Sequence, residues 1–80
     1  MVFRMASKGL ADRAIEVRNW IESGEAAGLR TRNHLSLETG ARTIGVSTTA
    51  LYRWERGERW PQGRNLIAYH KFLHKLAEGA

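Results

Sequence analysis

From Leu10 the apolar positions Leu10, Ala14, Val17 and Ile21 recur at the spacing of one helical face, and the pattern ends at Ser23-Gly24. A second helix is predicted over "EAAGLRTRN", residues 25–33, with Ala26, Leu29 and Arg30 turned inward and Ser23 placed to cap its first turn. Gly28 inside it costs about 1 kcal/mol relative to alanine. Ser36 is the next capping residue, before a short helix "LETGARTI" that aligns Leu37, Ala41 and Ile44 and stops at Gly45. Ser47 then caps a helix that reaches Glu55 and ends at Gly57. Residues 57–63, "GERWPQG", hold the only proline and read as a loop. A last helix over 64–77 sets Leu66, Tyr69, Leu73 and Leu76 on one stripe. The pattern predicts an all-α fold, a compact bundle of about five short helices, with residues 1–9 disordered and 10–80 forming one domain.

The fourth predicted helix has an unusual polar side. On a wheel of about 100° per residue, Thr48, Tyr52, Arg56, Thr49 and Arg53 fall within an arc of roughly 140°. Ala50, Leu51 and Trp54 lie on the other side. A face that merely meets water favours Glu, Lys and Gln, which are better helix formers than Thr or Tyr. This arc contains no acid. Its residue types suit nucleic acid instead: Arg forks onto guanine, Thr meets a thymine methyl, and Tyr hydrogen-bonds a phosphate or packs on a methyl.

Charge strengthens that reading. Residues 1–40 carry six Lys/Arg against five Asp/Glu, whereas residues 41–80 carry seven against three, so most of the net charge of +5 lies in the half that holds this helix. The segment before it explains how such a helix is presented. Ala41 allows a close crossing, Gly45 accepts the positive φ of a tight turn, and Val46, Leu51 and Trp54 form a wedge fixing two helices at an angle.

Residues 35–61, "LSLETGARTIGVSTTALYRWERGERWP", resemble the helix-turn-helix of the phage-repressor and Cro (XRE) family. The likeness rests on Ala41-x-x-x-Gly45-Val46-Ser47, the Leu51/Trp54 pair and the Trp54-Glu55-Arg56-Gly57 ending. With "LRTRNH" as the preceding helix it extends over residues 25–76. It implies a lambda-repressor-like fold that binds double-stranded DNA, with residues 47–56 as the recognition helix. Thr48, Thr49, Tyr52 and Arg53 then fall at base-reading positions, and Ser47 caps the helix beside a phosphate. Arg30 and Glu55 match a family ion pair between the first motif helix and the end of the recognition helix. Three positions depart from the family. Leu37 stands where many relatives carry a phosphate-contacting Gln. Gly40 replaces a larger apolar residue, which predicts loose packing of that helix. His34 replaces a common Gly, so Asn33 or His34 must make the turn.

Around the loop, Arg56, Arg59 and Arg64 are expected phosphate anchors, because a groove-reading helix needs flanking contacts to fix its register. His70 and His74 lie four apart on the last helix but lack a third ligand at useful spacing, so they are read as surface or interfacial residues and no metal is expected. Trp20 and Trp60 are read as completing the core or a contact surface. No nucleophile–base set, phosphate-cradling glycine loop or paired-carboxylate spacing is present, and neither an enzyme nor a cofactor is expected. The absence of cysteine excludes disulfides and thiolate metal sites. Apolar runs far short of a membrane span, and a first ten residues without a long apolar segment, give the expectation of a soluble protein in the cytoplasm or nucleoid of a bacterial host. The leading expectation is a small repressor or Cro-like regulator, suited to a phage or prophage, with homodimerisation an open question. The alternative is a protein-interaction module, such as an antitoxin, for which DNA is secondary.

Overall fold

In the computed structural model of the chain, residues 9–79 are described, and the expectation for residues 1–8 lies outside them. Helices α1 (Leu10–Glu22), α2 (Glu25–Arg32), α3 (Leu37–Ile44), α4 (Thr48–Glu55) and α5 (Gly63–Ala77) follow one another, with no strand among the described residues. The fold is an all-α bundle. Local chemistry sets most of the helix ends. Ser36 and Ser47 are extended, and each side-chain oxygen accepts a bond from the backbone N–H three residues on, at Thr39 and Ala50. Each thereby satisfies one of the amides a helix start leaves open. Ser23 behaves differently from expectation. It closes α1, while Gly24, left-handed at φ 84°, holds the N-cap position of α2. The Ser23 hydroxyl still accepts from the Glu25 N–H at 3.2 Å.

Between α3 and α4 the chain turns at Gly45, where φ is 95°. The N–H groups of Gly45 and Val46 both bond to the Ala41 carbonyl, at 2.8 and 2.9 Å. Nothing lies within 4 Å of where a Cβ would stand, so backbone conformation rather than space calls for glycine here. The turn after α2 lacks this provision. His34 takes φ 58° and is the only non-glycine residue with positive φ among those described. A side chain in that region costs roughly 1–2 kcal/mol, partly offset on replacement by the greater freedom of glycine in the unfolded chain. His34→Gly is therefore expected to stabilise the fold by about 0.5–1 kcal/mol. Urea unfolding should show a higher midpoint at unchanged slope; a lower midpoint would mean that the imidazole itself stabilises the turn.

The core is drawn from all five helices: Val17 and Ile21, Ala26 and Leu29, Ala41, Leu51 and Trp54, then Leu66, Tyr69, Phe72 and Leu73. α5 packs against α1, α2 and α3 together. That explains why it buries Phe72 and His70 as well as the expected stripe, of which Leu76 is only half-buried. Two expectations fail. The predicted inner stripe of α1 is fully covered only at Val17 and Ile21; Leu10 is 48% exposed and Ala14 also faces solvent, because both line an open groove between α1 and the start of α5. α3 is not loosely packed at Gly40. A Cβ there would meet Leu51 Cδ2 at 3.2 Å, Arg30 Cδ at 3.3 Å and Phe72 Cζ at 3.6 Å, so side chains from three other helices fill the space.

Candidate nucleic-acid interface

α4 is held from behind and open in front. Leu51 is fully buried, and Trp54 is nearly so, its ring centroid 5.0 Å from that of Tyr69 on α5. Ser47, Thr48, Thr49, Tyr52 and Arg53 are all exposed. Thr48, Thr49 and Arg53 make no side-chain hydrogen bond or ion pair among the described residues, so their polar groups are uncommitted. The Ser47 oxygen is occupied as an acceptor by the Ala50 N–H at 3.0 Å, which leaves its O–H to donate.

The far end of α4 is anchored to α2. Arg30 Nε donates to Glu55 Oε2 at 2.6 Å and Nη2 donates to Oε1 at 2.9 Å, a two-pronged pair, while Nη1 donates to the Leu35 carbonyl at 2.8 Å. The two side chains are only 12% and 8% exposed, so the charges are largely out of water and depend on each other. The hydrogen bonding of Arg30 to the Glu55 carboxylate is the main reason the Arg30 pKa lies above its ordinary value, against the cost of burial. Behind the pair the Tyr69 hydroxyl is buried without a partner. Burial, and then the charge of Glu55, push its pKa upward, so the phenol stays neutral.

The expected phosphate anchors separate into two kinds. Arg56 is engaged: its Nε donates to Glu58 Oε2 at 2.8 Å, and its guanidinium carbon stands 5.4 Å from the Tyr52 ring centroid. This arginine supports a base-reading candidate and is partly neutralised. Arg59 and Arg64 are exposed and make no ion pair among the described residues. Arg59 lines a polar cleft with Ser47, Thr49, Arg53, Gln62 and Asn65, and Arg64 does not. Gln62 and Asn65 carry no signal in the sequence beyond flanking a helix start; only the path of the loop brings them beside Arg53. Leu37, at the position where relatives carry Gln, packs against the core and offers no polar side chain.

His70 is buried, and its Nε2 faces Glu16 Oε1 of α1 at 2.5 Å, so it is an interfacial residue joining α5 to α1. His74 is exposed beside it. No group of three His, Asp or Glu side chains that could hold a metal occurs among the described residues. No described helix is long and apolar enough to cross a membrane.

Two short helices crossing at a glycine turn, the second with a buried apolar side and an exposed Thr/Tyr/Arg side, define a helix-turn-helix DNA-binding module. The model of the helix-turn-helix family matches residues 28–77, well over half of the chain. The chain belongs to that family, in its XRE and lambda-repressor form, a family of DNA-binding regulators. The match begins at residue 28, inside α2, so α1 lies outside it. No curated protein and no solved structure matches the chain.

Proposed function

We propose that this chain is a small transcriptional regulator of repressor or Cro-like type that lays residues 47–56 in the major groove of double-stranded DNA. Thr48, Thr49, Tyr52 and Arg53 read base edges, while Ser47, Arg59 and Arg64 contact phosphates. Arg56 contacts a phosphate only by giving up Glu58 in part, and its first task is to steady Tyr52. The observation that carries this reading is the exposed face of α4, where uncommitted hydroxyl and guanidinium groups stand together above a buried Leu51 and Trp54. Such a regulator works in the cytoplasm.

Selection of bound duplexes from random DNA at physiological salt tests the proposal. A palindromic consensus supports two copies on two half-sites, and a single half-site supports a monomer. The exposed Leu10 and Ile15 on α1 favour one alternative, a protein-interaction module of antitoxin type. Absence of any enriched sequence would support it. Within the leading reading, Arg53→Ala is expected to weaken the preferred duplex by about 1–3 kcal/mol and to relax preference at one base position. Equal losses on preferred and random duplexes would reduce Arg53 to a phosphate contact.

A further inference from the structure

α1 lies outside the matched segment, yet it touches the loop that leaves the candidate recognition helix. The Arg18 guanidinium carbon stands 4.4 Å from the centroid of the Trp60 ring. Pro61 is buried next to it, in a groove lined also by Ala14 and Val17 of α1. At the other end of the loop, a Cβ on Gly57 would lie 3.9 Å from Ile21 Cγ2. The loop thus meets α1 at Trp60 and Pro61 and passes close to it at Gly57. Between these points sits Arg59, exposed, without an ion pair among the described residues, and lining the same cleft as Arg53.

A backbone phosphate anchor is useful only when its Cα is fixed relative to the helix that reads the bases. α4 ends before Arg59, and its backbone ties to the loop reach only Gly57 and Glu58, whose N–H groups donate to the Trp54 and Arg53 carbonyls at 3.0 and 2.9 Å. Trp60, the immediate neighbour of Arg59, is met from α1 by the Arg18 guanidinium. The ring quadrupole attracts the guanidinium, and the flat faces restrict how the indole can turn. We infer that Arg18 is a positioning residue for DNA binding: through Trp60 it holds loop 57–63 so that Arg59 meets the phosphate backbone in register with α4. α1 therefore serves the interface without touching DNA. This role rests on the DNA-binding reading proposed above.

The test has one arm without DNA and one with it. In free protein, Arg18→Ala should lower the backbone order parameters of Arg59, Trp60 and Gln62 from nitrogen-15 relaxation, while those of α4 hold. Unchanged loop order overturns the clamp. On DNA, Arg18→Ala should weaken binding to preferred and random duplexes alike by about two- to fivefold, the range that one exposed cation–π contact can transmit. Arg18→Lys, which keeps a cation over the ring, should recover part of that loss, and Arg18→Met should not. Arg59→Ala should flatten the slope of log affinity against log salt by about one. In the Arg59→Ala background the Arg18→Ala loss should vanish, since the anchor it positions is gone. A loss that persists there, with a further flattening of the salt slope, makes Arg18 a phosphate contact and overturns the positioning role. A wild-type chain that binds no duplex at any salt overturns the DNA reading and this role with it, and the DNA-free arm tells that failure from a failure of the clamp.

Discussion

Glu55→Ala is expected to destabilise the fold by about 3–5 kcal/mol, a cost typical of breaking a buried ion pair by removing one partner. The reason lies less in the attraction lost than in the charge left behind. Arg30 cannot shed its proton, and with its side chain only 12% exposed it would keep one acceptor, the Leu35 carbonyl, where it now has three. Two guanidinium nitrogens would then be stranded with little water. Removing both partners should cost less than the two single losses added together, because the doubly substituted chain buries no unpaired charge. A urea-unfolding cycle over Arg30→Ala, Glu55→Ala and the double variant measures this, with a coupling of at least about 1 kcal/mol expected. Additive losses would mean that the two charges are separately solvated, and α4 would then owe its position to apolar packing alone.

That packing has its own test in Trp54→Ala, expected to cost about 3–5 kcal/mol. Trp54 is 5% exposed, belongs to the same core as Leu51 and stacks obliquely on Tyr69. Truncation removes the transfer energy of an indole and leaves a hole that the surrounding helices can close only in part. Domains of this size are stable by about 5–15 kcal/mol in total, so the variant should be substantially unfolded on mild heating. Trp54→Phe keeps an aromatic partner for Tyr69 and should lose well under half as much. The thermal midpoint, followed by far-ultraviolet circular dichroism, separates the two variants. Equal midpoints for Phe and Ala would show that the ring contact and the filled volume contribute nothing at this site.

The parts of the fold that could be read from the sequence are those decided within a few residues. Ser36, Ser47 and Gly45 act on amides and carbonyls three to five positions away, so their effect on helix ends is visible without a structure. The outward arc of α4 is legible for the same reason, since helical periodicity alone decides which side chains share a face. Periodicity does not say how far a face is covered, and the expected stripe of α1 accordingly ends in an open groove at Leu10 and Ala14. Gly40 could not be judged from its own helix either, because the atoms that fill its space come from Arg30, Leu51 and Phe72 on three others. Helical spacing gives no hint that Arg30 meets Glu55, 25 positions away; only the family resemblance suggests that pairing. Around the interface, the neighbours of Arg53 that come from the loop and from α5 depend on where residues 57–63 run. No pattern of apolar positions sets that path. Arg56 is the opposite case: its partner Glu58 is two residues away and was open to a local reading.

The contact between Glu16 and His70 joins positions 54 residues apart, whereas α3 and α4 are neighbours along the chain as well as in space. Bringing distant segments together carries a chain-closure entropy that grows with the intervening length, so short-range contacts are favoured to form first. The α3–α4 unit is therefore expected to assemble while α1 is still free, with the α1–α5 seam closing late. Interactions that form after the rate-limiting step alter the speed of opening far more than the speed of closing. On this reasoning α1 is expected to act as a kinetic latch: truncating its buried side chains should speed unfolding more than it slows refolding in stopped-flow measurements, with the reverse for changes at Gly45, Ser36 and Ser47.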